Sequence, residues 1–323
     1  MSLVDWLSNT RRRVDEEGVE ALGDSAALLY NGAWRVCGSR LPLGTNVYDR
    51  EWDLLILLDG CRVDSLRSFE DDAERSFVED VDTLRSVAST SREWLPKTFS
   101  PDRRGEVEQT AYVTANPYTE EILSPGSKNR SPFNPANWES LNLEDFLLVD
   151  EVWRDGWDEE LGTVPPRVVT DRAITAAREH GPDRLIVHYM QPHQPFVGER
   201  ACSNNQAWIE ESCWGALRQG GATVDEIREA YRENLAVVLD DVVLLLENVD
   251  APKVAISADH GNAFGEWGVY GHPNGFLHPS VKTVPWLVTT ASDRGTYTPG
   301  IAESEPTDVG QTTEDRLRDL GYL

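Results

Sequence analysis

Trp52-Asp53-Leu54-Leu55-Ile56-Leu57-Leu58-Asp59-Gly60-Cys61-Arg62 is the stretch from which the fold is read. Residues 54–58 are aliphatic without interruption, and the run stops at an aspartate followed by a glycine. A continuous apolar run of this length suits a strand buried on both faces, whereas a half-exposed strand would alternate. Comparable runs occur at 110–115, 146–149, 185–189, 254–258 and 284–289. Helical periodicity falls between them, at 168–180 and at 224–249. In the second of these, Ile227, Tyr231, Leu235, Val238, Val242 and Leu245 recur on one face. Strands alternating with helices predict an α/β protein: a three-layer α/β/α sandwich around a mostly parallel central sheet.

The runs at 54–58 and 254–258 share an ending. Asp59 follows the first and Asp259 the second, with His260 and Gly261 next. Ligands of open α/β sheets gather at the carboxyl ends of the strands. An aspartate just past a buried strand projects its carboxylate from a rigid place, which suits a metal ligand, although such a residue can also simply cap the following turn. Five of the six histidines lie between 188 and 278: His188, His193, His260, His272 and His278. Four of these stand beside proline or glycine, in Gln191-Pro192-His193-Gln194-Pro195, Asp259-His260-Gly261, Gly271-His272-Pro273 and His278-Pro279. Imidazoles held in stiff loops beside two strand-end carboxylates point to a metal or phosphate site.

A hydroxyl is available as well. Ser89-Thr90-Ser91-Arg92-Glu93-Trp94-Leu95 reads as a helix start, with Ser91 as its cap. The free N–H groups at such a start attract an anion, and one of the three hydroxyls is a candidate nucleophile.

These segments, in this order, resemble the sulfatase-like hydrolases of the alkaline phosphatase superfamily. The 52–62 stretch is similar to that family's first strand and metal-binding aspartate. His188-Tyr189-Met190-Gln191-Pro192-His193-Gln194-Pro195-Phe196 is similar to its histidine-proline substrate loop. Asp259-His260-Gly261, continued by Phe264-Gly265-Glu266-Trp267-Gly268-Val269-Tyr270-Gly271-His272-Pro273, resembles its signature region, with Val284-Pro285-Trp286-Leu287-Val288 as the next strand. The resemblance implies an alkaline phosphatase-like fold and metal ligation by Asp59, Asp259, His260 and His272, the first three on one divalent metal and His272, like His193, on a second metal or on the substrate oxyanion. It assigns His193, His188 and His278 to the substrate, and a covalent intermediate to Thr90, Ser91 or Ser89. Mixed carboxylate and imidazole ligands favour manganese or zinc, with magnesium or calcium as alternatives. The implied substrate is a small phosphate or sulfate ester, free or glycan-linked, and the implied enzyme a hydrolase or transferase. The chain departs from true sulfatases in three ways. Gly60 stands where many of them carry a second aspartate, the Cys/Ser-x-Pro-x-Arg motif is absent, and no lysine matches an active-site lysine. These departures favour a phosphoester over a sulfate ester. They also leave a rival reading, a non-catalytic relative that binds an anionic ligand or a partner.

Composition bounds the setting. Acidic residues number 56 against 30 basic ones, for a net charge of −26, and Lys97, Lys128, Lys253 and Lys282 are the only lysines. Such a surface stays hydrated where salt is concentrated, so a halophilic, cytoplasmic protein is expected. Phosphate backbones would be repelled, which excludes a nucleic-acid partner. No apolar run reaches the ~20 residues that span a bilayer. Residues 1–50 are expected to form a helical segment packed on a body spanning 51–323, with an inserted loop at 200–221. Cys37, Cys61, Cys202 and Cys213 form no C-x-x-C pair and are expected as free thiols. The tryptophans at 138, 153, 157, 208 and 214 are expected in core packing more than in sugar stacking.

Overall fold

The computed structural model describes residues 43–125, 138–198, 212–300 and 312–322. Most of the segment expected at 1–50 lies outside that range, and within it Val47–Asp49 forms one 3-10 turn. The strands are β1 (Leu54–Leu58), β2 (Asp82–Arg85), β3 (Thr110–Thr114), β4 (Leu148–Glu151), β5 (Arg184–Tyr189), β6 (Ala251–Ser257), β7 (Ala263–Phe264), β8 (Tyr270–Gly271) and β9 (Thr283–Ala291). Seven of them form one sheet in the order β2-β9-β6-β1-β5-β3-β4, and β7 and β8 form a small antiparallel pair. The five strands from β6 to β4 run parallel, while β9 is antiparallel to both β6 and β2. The predicted mostly parallel sheet with flanking helices is the architecture found.

Helices used below are α1 (Ser91–Thr98), α2 (Tyr118–Leu123), α3 (Pro166–His180), α4 (Cys213–Gln219), α5 (Val224–Leu246), α6 (Pro279–Lys282) and α7 (Thr313–Asp319). Two consecutive residues of β5 show that α1 and α3 lie on opposite faces, since neighbouring side chains of a strand point opposite ways. His188 meets Trp94 of α1, ring centroids 6.1 Å apart, and Tyr189 meets Thr170 of α3, with their hydroxyls 2.8 Å apart. All five residues of β1 are fully buried. That explains the unbroken aliphatic run: both faces of β1 are covered, so neither can be polar.

Two expected boundaries move for identifiable reasons. The strand expected at 146–149 begins two residues later. Phe146 turns inward instead, edge-on to Phe99 at 4.8 Å and stacked on Tyr112 at 6.0 Å. β4 ends on Asp150 and Glu151, which are held at the sheet edge by Arg172 and Thr119. β2 carries no hydrophobic signal because three of its four residues are exposed, as an outermost strand allows. Within the loop expected at 200–221, residues 213–219 form α4. Its Cys213, Trp214 and Leu217 pack on Ile227, Tyr231 and Phe264. Cys61 and Cys213 are buried free thiols. Trp153 and Trp214 are buried in packing clusters, and Trp157 is partly buried against the main core. Trp208 lies outside the described residues. Among the described residues, no helix is long and apolar enough to cross a membrane.

Candidate active site

The parallel strands β1, β5, β6 and β3 end at one edge of the sheet, and the buried polar residues collect there. Asp59 continues the β1 ladder by donating its N–H to Tyr189 O at 3.1 Å. Gly60 takes φ +67°, and a Cβ there would stand 2.6 Å from Asn262 Nδ2, so a side chain at this turn would displace the amide that donates to the Gly60 carbonyl. Its N–H donates to Asp259 Oδ1 at 3.1 Å, tying the two strand ends together. Gly261 is required for a different reason: a Cβ would lie 2.3 Å from the Ser280 carbonyl oxygen.

Asp59, His188, Asp259 and His260 are completely buried. His188 Nε2 is 3.5 Å from Asp59 Oδ2, while His260 Nε2 is 3.6 Å from Asp59 Oδ1 and 3.4 Å from Asp259 Oδ2. Ligand atoms of Asp59, His188 and Asp259 all lie within 4.8 Å of one another. His260 Nδ1 faces the Gly261 carbonyl at 2.9 Å, and a carbonyl only accepts, so Nδ1 carries the proton. In the neutral ring Nε2 is then a bare lone pair aimed at two carboxylates. His188 Nε2, Asp259 Oδ2 and His260 Nε2 have no hydrogen-bond partner.

Asp259 Oδ2 and the His260 Nε2 lone pair are buried acceptors that repel one another unless a cation lies between them, whereas His188 Nε2 can carry the proton when Tyr112 OH donates to Nδ1. Two carboxylates and two neutral imidazoles balance one divalent ion. Asp59, His188 and Asp259 bring one ligand atom each to a common point, and His260 stands beside them, facing the other oxygen of Asp59. The residues therefore fit a divalent metal. Burial pushes the Asp59 carboxyl up, but the imidazoles of His188, His193 and His260 outweigh it and hold the group below the usual carboxylate range.

The three candidate hydroxyls separate cleanly. Ser89 Oγ donates toward Glu93 Oε2 and the Pro273 carbonyl, each at 3.1 Å. Thr90, and not Ser91, caps α1, accepting from Glu93 N at 3.2 Å and donating to Asn274 Oδ1 at 2.9 Å. Ser91 is the first helical residue, fully buried, and its Oγ donates to Asp59 Oδ2 at 3.0 Å. Arg92 follows it, pairs with Glu121, and has a buried Nε without a partner.

The histidines are redistributed relative to the sequence expectation. His188, expected with the substrate, belongs to the Asp59 group because its ring projects from the strand beside β1, with Nδ1 on Tyr112 OH at 2.9 Å. His272, expected among the metal ligands, lies one layer out. Its ring stacks on His260 at 4.3 Å and its Nε2 is 2.9 Å from His193 Nε2. His193 Nδ1 faces the Gln194 carbonyl, so the shared proton of this pair sits on His272 Nε2, leaving His272 Nδ1 buried without a partner. Burial lowers the proton affinity of both rings, and for His272 the neighbouring His260 and His193 lower it further. His278 is not brought to this group. Its Nδ1 caps α6 through Ser280 N at 3.1 Å, and its ring sits against Trp267 and Phe276.

Two contributors went unread in the sequence. Asn116 donates from Nδ2 to Asp59 Oδ2 at 3.0 Å. It stands two residues past β3, so the strand-end rule that picked out Asp59 would have found it. Tyr322 brings its hydroxyl to 3.2 Å and 3.3 Å from the two Asp59 oxygens. Burial, then Asp59 and Asp259, push its phenol well above the ordinary range, so it stays a neutral donor. Nothing local in the sequence signals that role.

No known family profile and no curated protein matches this sequence. Solved structures do. The C-terminal periplasmic domain of phosphoethanolamine transferase EptC from Campylobacter jejuni aligns at 12% identity over 73% of this chain and 78% of that one, with a TM-score of 0.45. The integral membrane lipooligosaccharide phosphoethanolamine transferase A from Neisseria meningitidis aligns at 14% identity over 90% of this chain and 59% of its own length, with a TM-score of 0.44. A provisionally assigned sulfatase from Bacteroides thetaiotaomicron aligns at 10% identity over 83% and 70%, with a TM-score of 0.41.

Proposed function

We propose that the chain is a metal-dependent phosphoester hydrolase, or a transferase of the same group, that works through a covalent intermediate on Ser91. The observation that carries this reading is the hydrogen bond from Ser91 Oγ to Asp59 Oδ2 at the edge of a buried set of unpartnered acceptors. Asp59, Asp259, His260 and His188 would hold the ion, with manganese or zinc favoured by the donor set. When bound, such an ion polarises the ester and stabilises an alkoxide near neutral pH.

The chain's own groups supply the remainder. Asp59 orients Ser91 Oγ, whose proton passes to solvent; the oxygen attacks phosphorus while the bond to the leaving oxygen breaks, and that oxygen takes up a proton from solvent and departs as the alcohol. The N–H groups at the start of α1 favour the anion being transferred. His272 Nε2–H is held by His193 Nε2, so the two rings form a fixed wall beside the site. Water or a second alcohol then takes the group from Ser91, restoring its hydroxyl. A sulfate ester would follow the same course. The salt-rich cytoplasm inferred from the net charge of −26 belongs to the same reading.

The test pairs metal analysis with turnover. Wild-type protein loaded with Mn²⁺ or Zn²⁺ is expected to hydrolyse p-nitrophenyl phosphate faster than p-nitrophenyl sulfate, and Asp259→Ala to lose both the bound ion and turnover. An Asp259→Ala protein that keeps both sinks the assignment. Bound metal without turnover of any ester would favour the ligand-binding reading.

A further inference from the structure

We propose that Tyr322 is a positioning residue of this site: its hydroxyl holds Asp59 and Ser91 in register, and its ring holds His193. The phenol oxygen lies 3.2 Å and 3.3 Å from Asp59 Oδ2 and Oδ1, and 3.3 Å from Ser91 Oγ. One side chain therefore touches both the carboxylate and the hydroxyl on which the proposed chemistry turns. The ring stacks on His193 at 4.7 Å with a 21° interplanar angle, and stands edge-on to His272 at 5.5 Å and to Tyr118 at 4.9 Å.

The residue is fixed from behind. α7 opens with a capping box between Thr312 and Asp315. Leu317 and Leu320 are buried in the main core, and Arg316 reaches the carbonyls of Trp153 and Arg154. Tyr322 N–H donates to Leu317 O at 2.9 Å, and Gln194 Nε2 donates to Leu320 O at 3.2 Å. Gln194 adjoins His193, so the segment carrying Tyr322 and the loop carrying His193 brace each other. A tyrosine anchored this way is a wall of the site and not a detachable plug.

The physical effect is on geometry. Asp59 Oδ2 already accepts from Ser91 and Asn116, and Tyr322 supplies a third donor from the opposite chain segment. Three donors leave a carboxylate little freedom to rotate, and outer partners of this kind tune both ligand orientation and affinity at metal sites.

This inference rests on the reading of Asp59 as a metal ligand and Ser91 as nucleophile, and it is tested by two readouts on the full chain. Tyr322→Phe removes the hydroxyl but keeps the stack on His193. It is expected to bind Mn²⁺ about tenfold more weakly by titration calorimetry, and, with Mn²⁺ saturating, to lower kcat roughly 10- to 100-fold with KM nearly unchanged. Tyr322→Ala also frees the His193 ring, so KM is expected to rise as well. A purely structural role would not divide kcat from KM between the two variants. Wild-type Mn²⁺ affinity in Tyr322→Phe overturns the proposal whether or not the wild type turns over an ester. Wild-type kcat in that variant, measured in an active enzyme, overturns it too. A wild type that binds Mn²⁺ but hydrolyses nothing defeats the hydrolase reading alone, and the affinity ratio then decides the role of Tyr322.

Discussion

Ser91 Oγ and Asp59 Oδ2 are 3.0 Å apart, joined by a hydrogen bond that links the first residue of α1 to the residue just past the end of β1. Thirty-two positions separate them in the chain. The contact exists because α1 starts at the same sheet edge where β1 stops. It also separates one hydroxyl from its two neighbours.

That separation predicts a steep difference among three adjacent substitutions. Ser91→Ala is expected to lose at least ~10³-fold in kcat with Mn²⁺ still bound, since it removes the attacking oxygen and no proposed ligand. Ser89→Ala and Thr90→Ala are expected to keep most activity, with Thr90→Ala costing about 1 kcal/mol of stability through the lost helix cap. Steady-state kinetics beside denaturant melts would measure both. Near-normal turnover in Ser91→Ala would end the case for a covalent step on that residue.

His278 and His272 are expected to part company. His278→Ala should cost about 1 kcal/mol through the cap of α6 and leave kcat unchanged. His272→Ala removes the donor that faces His193 and should lower kcat. A large loss of activity in a folded His278→Ala protein would mean that its ring reaches the substrate.

Lys282 carries a pH prediction. Its side chain is buried, and burial first, then the nearby Lys97 cation, lowers its pKa to about 7, with Glu93 compensating only in part. The unfolded chain keeps this proton up to ~10.4, so between about pH 7 and 10 the unfolded state binds more protons than the folded one. Stability from this group therefore rises with pH across that window, by up to about 1.4 kcal/mol per unit, and is flat and least favourable below it. Lys282→Met is expected to raise Tm at pH 7.5 and to flatten the rise between pH 7.5 and 9. Thermal melts across that range would show it, and a Lys282→Met protein that melts lower than wild type at pH 7.5 would contradict it.

The charge excess makes the fold salt-dependent. With a net charge of −26, self-repulsion is expected to lower Tm in dilute buffer. Most of the recovery should arrive by ~1 M KCl, where the screening length is ~3 Å. A melting temperature independent of KCl would remove the halophile inference while leaving the site untouched.

Much of the fold was legible because its causes are local. A strand covered on both faces must be apolar throughout, and 54–58 and 254–258 declared themselves that way. Aspartates placed just after such runs had to lie at the carboxyl edge of a parallel sheet, so Asp59, Asp259 and His260 were found together from sequence. Other assignments depended on which strands are neighbours. His188 joins the Asp59 group because β5 lies beside β1, paired Leu57 to His188. His272 stands one layer out because the loop after β8 stacks it on His260. Tyr322 reaches Asp59 across 263 positions, held by the core contacts of α7. A hydrophobic pattern specifies which side of an element is buried, but not which distant element covers it. That choice is made by packing, and packing selected Ser91 from three hydroxyls and brought a tyrosine to the carboxylate beside it.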